Sequence, residues 1–242
     1  MLAWELIKET FFRKSSIAIL HVLGALLYGI IAVLPMRNSL EVGAFVFILS
    51  GVALPLLISQ GIFGDDIVSG RARVVLTKPM SFATLYIWRL VGMCLQCLVQ
   101  MAIGSAVLYL AHRLGARGSV NHLLLLNLMA MFMFLTLTTL STSVSSVVKG
   151  GLNLLVMVFG LIFFKAVDWL MGGMETPLAE GVQAFIKYAL PPLDLLWSAG
   201  NQGAGPLEVL GLVVHALALS LIYASAGIII LSRREFACER EC

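Results

Sequence analysis

Hydrophobic and polar positions in this chain of 242 residues fall in long alternating blocks. Apolar runs cover residues 16–34, 42–63, 87–111, 123–148, 152–171 and 207–231. A helix needs roughly 20 mostly apolar residues to cross the hydrocarbon core of a bilayer, and it satisfies its backbone polar groups within its own segment. The pattern predicts an all-α integral membrane protein with six transmembrane helices. The polar breaks are 35–41, 64–86, 112–122, 149–151 and 172–206. The break at Lys149-Gly150-Gly151 is a tight turn whose two glycines are free to adopt positive φ.

Two segments outside the spans also carry a pattern. In residues 1–15, Trp4, Ile7 and Phe11 form a stripe at i, i+3, i+7, while Glu5, Lys8 and Glu9 face elsewhere. Such a helix is expected to lie in the headgroup plane. The N-terminus mixes charges with aromatics and precedes a run long enough to span, so no cleavable signal peptide is expected. Residues 172–206 contain LAEGVQAFIKYALPPLDLLW, too short and too broken by Pro191-Pro192 to cross. A short helix lying at the membrane face, or dipping into it, is predicted there. NQGAGP follows, with Pro206 suited to the first turn of the last span.

Composition agrees with lipid as the solvent. The chain is 60% hydrophobic and 12% charged, with a mean hydropathy of +0.99. A soluble domain carries about twice that charged fraction. A net charge of +3 makes no case for a nucleic-acid partner. The four cysteines, Cys94 and Cys97 in an apolar run and Cys238 and Cys242 at the end, form no secreted disulfide pattern.

Cations orient the chain. With both termini inside, eleven fall in inner segments and their flanks: Lys8, Arg13, Lys14, Arg71, Arg73, Lys78, Arg89, Lys149, Arg233, Arg234 and Arg240. Four fall outside: Arg37, Arg113, Arg117 and Lys187. The positive-inside rule then places both termini in the cytoplasm.

Few residues carry candidate chemistry. Cys94 and Cys97 share a helical face near Met93 and Met101, but a soft-metal site needs more ligands, so packing is the expected role and no metal is assigned. Lys165 and Asp168 lie at i, i+3 within the fifth span, where each charge costs about 2.5–3.5 kcal/mol at the bilayer centre. They form either a structural pair or a gate or substrate site. His21 and His215 suit helix packing better than a proton relay. The hydroxyls Thr136, Thr138, Thr139, Ser141 to Ser143, Ser145 and Ser146 either line a polar path or serve close, back-bonded helix contacts. There is no paired-carboxylate, His-Glu or Ser-Lys constellation for an intramembrane enzyme, and no Walker motif, so nucleotide chemistry would need another chain.

The segment 64–86 is the most informative. Val68, Ala72, Val75 and Leu76 share one helical face, with Asp65 and Asp66 at its start, where the helix dipole favours anions. Pro79 stops the helix, and Ser81 can cap the next one. The positive-inside rule explains Arg71, Arg73 and Lys78, but not the apolar stripe. A cytoplasmic stripe calls for a membrane surface or a partner protein.

The string GDDIVSGRARVVLTKPMSFATLYIWRLVG resembles the signature of type-2 ABC exporter permeases. Asp66 matches the acidic position, Gly70 the first Gly, Leu76-Thr77 the Leu-Ser, Pro79 the Pro and Ser81 the Ser, while Arg89 stands for the Lys and Gly92 for the last Gly. Arg71-Ala72 replaces Thr-Leu, Phe82 the usual Arg and Trp88 the Gly before the Lys. TTLSTSVSSVVKGGLNLL, from Thr138, is similar to the family's Ser-rich end of the fourth span and the turn into the fifth. YALPPLDLL, from Tyr188, is similar to the stretch before its last span. The branch it is most similar to includes permeases of copper-enzyme maturation exporters.

The resemblance implies a single permease domain over residues 1–242 in the inner (plasma) membrane. Two such chains, as a homodimer or heterodimer, would form the translocation path. Each would pair with a separate ATPase subunit that binds ATP and Mg, leaving this chain without a cofactor or catalytic residue. A coupling helix between the second and third spans would dock on that ATPase through Asp66, Val68, Gly70, Arg71, Ala72, Arg73, Val75, Leu76 and Pro79. The rival reading is a non-transporting membrane anchor or scaffold that recruits a cytoplasmic protein.

Overall fold

A computed structural model describes residues 2–13, 56–68, 81–114, 120–148, 150–174, 176–202 and 205–240, together with Leu23, Leu26, Leu27 and Ile30. Its helices are α1 (Leu2–Arg13), α2 (Gly64–Val68), α3 (Phe82–Arg113), α4 (Val120–Ser145), α5 (Gly150–Met171), α6 (Pro177–Ala189), α7 (Leu193–Gln202) and α8 (Pro206–Arg240). There is no strand among the described residues. Four stretches are long and apolar enough to cross a membrane: Phe82–Arg113, Leu124–Ser145, Leu152–Met171 and Pro206–Arg233. These correspond to the third to sixth expected spans. Of the first two, 16–34 is described only at Leu23, Leu26, Leu27 and Ile30, and 42–63 only at residues 56–63.

Local chemistry sets the helix ends. Ser81 is extended (φ −76°, ψ 155°) and its hydroxyl accepts from the Thr84 N–H at 3.2 Å, so α3 starts where the cap was expected. Pro206 opens α8 at a position where its missing N–H costs nothing. The segment before α8 forms two helices, not the one expected. Pro191 pushes Leu190 into extended backbone (φ −100°, ψ 161°), which ends α6. The broken pair dips into the bundle. The Tyr188 ring meets His215 edge-on at 6.0 Å, and the Tyr223 hydroxyl donates to the Ala189 carbonyl at 2.6 Å. His215 lies nine residues past Pro206, roughly 13 Å along α8 at 1.5 Å per residue.

The packing has a centre and a rim. Helix α4 lies against α3, α5, α7 and α8, and 56% of its apolar window is buried. Helix α5 touches little besides α4 and α6, and only 6% of its window is buried. Lipid is as apolar as leucine, so close packing holds these helices together, not exclusion from water. Two clusters supply it. At the end where α3 finishes and α4 begins, Met101, Leu108, Leu126 and Met129 pack on Leu196 and Ala199 of α7. At the opposite end Ile58, Ile62, Phe63, Leu85 and Tyr86 gather with Leu6 and Leu231.

The packed face of α1 differs from the expected stripe. Leu6 and Thr10 are buried, Ile7 and Phe11 are half-buried, and Trp4 is exposed. The cause lies on α3. A Cβ at Gly92 would sit 2.9 Å from the Thr10 Cβ and 3.1 Å from the Ile7 carbonyl oxygen. The absent side chain lets the backbone of α1 approach, and Leu6 and Thr10 occupy the contact.

Candidate functional site

The end of the bundle holding the start of α3 is built around one cation. Leu85, Tyr86, Arg89, Gly92, Met93 and Gln96 form the buried face of α3. Arg89 is only 2% exposed. Its guanidinium forms an ion pair with Asp66 of α2, donates to the Ile62 carbonyl at 2.6 Å, and lies 4.0 Å from the Glu9 carboxylate of α1. It also sits 5.6 Å from the Phe63 ring centroid, close enough for a cation–π contact. A turn delivers these partners: Gly61, at φ 71°, adopts the left-handed conformation open to glycine, and a Cβ there would strike the Asp65 carboxylate.

Asp66 therefore differs from its expected role. It is 2% exposed and turned inward to Arg89, so it braces the start of the segment and does not present a carboxylate to a partner. The reason is energetic: a carboxylate at this depth needs a cation, and Arg89 is the cation the fold brings there. Val68 ends α2, while Gly70, Arg71, Ala72, Arg73, Val75, Leu76 and Pro79 lie outside the described residues.

From Arg89 a chain of contacts runs inward. Phe63 stacks on Tyr86 at 5.1 Å with an interplanar angle of 6°. The Tyr86 hydroxyl is 3.0 Å from Ser143 Oγ, and Ser143 donates to the Tyr223 carbonyl of α8. A Cβ at Gly227 would overlap the Tyr86 ring, so that glycine makes the room. One network thus ties α1, α2, α3, α4 and α8.

The hydroxyl-rich end of α4 is committed to this packing. Thr136, Thr139, Thr142, Ser145 and Ser146 each donate to a carbonyl three or four residues back, and Ser143 Oγ also lies 2.9 Å from the Thr139 carbonyl. Ser141 hydrogen-bonds Ser59, and Asn153 of α5 donates to the Ser141 carbonyl at 3.3 Å. These contacts match the close-contact alternative for the hydroxyls.

At the other end, Lys165 takes a different partner from the one expected. It bridges from α5 to Asp194 of α7, and both side chains are exposed, 59% and 70%. Asp168 faces the same cavity, of about 610 Å³, bounded by α5, α6 and α7. Lys165 and Asp194, in contact but on separate helices and 29 positions apart in sequence, could not be paired from spacing alone.

Among the described residues no three His, Cys, Asp or Glu side chains gather as metal ligands. Cys94 lines a 160 Å³ apolar cavity with Leu98, Leu128 and Met131, and the side chain of Cys97 lies outside what is described. Phe63 and Asp194 were not singled out from the sequence, while Glu9 was read only as part of the polar face of α1 and Tyr86 only as an interfacial aromatic. An ionisable residue inside an apolar run was the available signal for Arg89, and it says a partner is needed without saying which.

No protein-family model matches this chain, and no curated protein matches it significantly.

Proposed function

We propose that this chain is the membrane permease subunit of an ABC-type exporter, with six spans and both termini in the cytoplasm of a bacterial-type inner membrane. It works as a dimer, each copy driven by a separate ATPase docked on residues 68–79. The observation that carries the reading is the Arg89–Asp66 pair. It anchors the first turns of the segment bearing the family-like string to a spanning helix, and through Glu9 and Tyr86 to α1, α4 and α8. A segment that must move spans when pushed needs such an anchor, because a loose loop would absorb the displacement.

In this reading Val68, Ala72, Val75 and Leu76 supply the apolar anchors, worth roughly 2 kcal/mol or more in a desolvated pocket, and Arg71 and Arg73 tune the association rate. The test is affinity purification of the full chain from its native membrane. An ABC ATPase should co-purify, hydrolyse ATP in the complex, and be lost with Val75→Asp. Gly70→Pro should keep the ATPase bound yet uncouple hydrolysis from transport. A chain that captures a cytoplasmic protein without ATPase activity would establish the scaffold reading instead.

A further inference from the structure

The cavity between α5, α6 and α7 carries more than the Lys165–Asp194 bridge. Its volume, about 610 Å³, is that of a site for a drug-sized molecule. Five charged side chains line it: Lys165, Lys187, Asp168, Glu180 and Asp194. Asp194 occupies Lys165. The Lys187 ammonium stands 5.7 Å from the centroid of its own neighbour's ring, Tyr188. Asp168 and Glu180 have no ion-pair partner among the described residues, so the cavity holds one negative charge more than positive.

Apart from Gln183, the rest of the wall is apolar or aromatic, with Leu161, Phe164, Tyr188 and Pro191 prominent. Lys165 lies six residues before the end of α5, roughly 9 Å along the helix. Unpaired carboxylates beside aromatic faces suit a cation that brings its own apolar body. An anionic ligand would meet Asp168 and Glu180, and a fully apolar one would leave both without a counter-charge.

We infer that this cavity is a binding site for an alkylammonium amphiphile, its ammonium held between Asp168 and Glu180 and its chain laid along the apolar wall. This goes beyond the permease reading and does not depend on it. The same ammonium chemistry has two sources, the ethanolamine headgroup of a membrane phospholipid and a free amphipathic amine.

Native mass spectrometry of the full chain in dodecyl maltoside tests it, with dodecylammonium, dodecanol, phosphatidylethanolamine and phosphatidylglycerol as probes. The wild-type chain should retain one dodecylammonium, preferred over dodecanol by about tenfold, or ~1.4 kcal/mol. Asp168→Asn with Glu180→Gln should erase the preference. Glu180→Gln alone, at an exposed position where folding is not at risk, should reduce it severalfold. Retention of phosphatidylethanolamine over phosphatidylglycerol identifies a lipid headgroup as the source. Retention of dodecylammonium without that preference identifies a free amine. Equal binding of dodecylammonium and dodecanol, a double variant that keeps the preference, or selection of phosphatidylglycerol overturns the proposal.

Discussion

Arg89–Asp66 and Lys165–Asp194 are both ion pairs between neighbouring helices, yet their surroundings give them opposite weights. The first is sealed, each side chain 2–3% exposed, and its cation has a carbonyl, an aromatic face and a second carboxylate around it. The second is open on both sides. Taking two charges out of water costs several kcal/mol per ion, which mutual attraction offsets only with good geometry and further hydrogen bonds. An open pair has little desolvation to offset and little to gain. The sealed pair thus fixes an arrangement that falls apart when one member is removed. The open pair leaves its side chains available for exchange with a ligand.

The largest effect expected from this contrast is at Arg89. Arg89→Met leaves the Asp66 carboxylate buried without its cation and should cost about 3–5 kcal/mol. A thermal melt of the purified chain in detergent should show a large drop. Asp66→Leu with Arg89→Met should recover most of it, because the stranded charge is gone. If the single and double variants melt alike, the pair is not what holds this end together.

Gly92→Leu comes next. Its side chain would drive into Thr10 and the Ile7 carbonyl, and over-packing of that kind costs about 1–3 kcal/mol. Detachment of α1 should appear as faster proteolysis near Arg13, with α3 to α8 still protected. Unchanged cleavage would mean that α1 does not rest on α3. A smaller loss, about 1 kcal/mol, is expected from Tyr86→Phe, which removes the hydroxyl contact with Ser143 but keeps the ring stacked on Phe63. A melt showing no change would remove the Tyr86–Ser143 link between α3 and α4 from the network.

The sequence made some of this legible and hid the rest for physical reasons. Block hydropathy located α3, α4, α5 and α8 because a spanning helix must be apolar all round, and that signal survives without knowledge of any neighbour. Ser81, Pro206 and Pro191-Pro192 were readable because capping and helix breaking are decided within a few residues. Pairing is not local. Asp66 belongs with Arg89 only because α2 is brought against the start of α3, and Asp194 reaches Lys165 only because α7 folds back against the bundle. The packed face of α1 was not readable for a related reason: the contact is set by a missing side chain on another helix.

Lys165→Met gives the smallest expected shift and the sharpest reading of the open end. With both partners largely exposed, the pair should contribute about 0–1 kcal/mol, and less as salt rises. The substitution keeps an apolar stem and removes only the charge. The melting temperature should stay within a degree or two of the wild type at high salt. Asp194 then joins Asp168 and Glu180 as a carboxylate without a cation, so the cavity becomes more negative. Retention of dodecylammonium should rise while stability hardly moves, a split that a structural pair cannot produce. A fall in stability as large as that of Arg89→Met would show that lipid, not water, seals the cavity. Both ends of the protein would then be held by charges of the same kind.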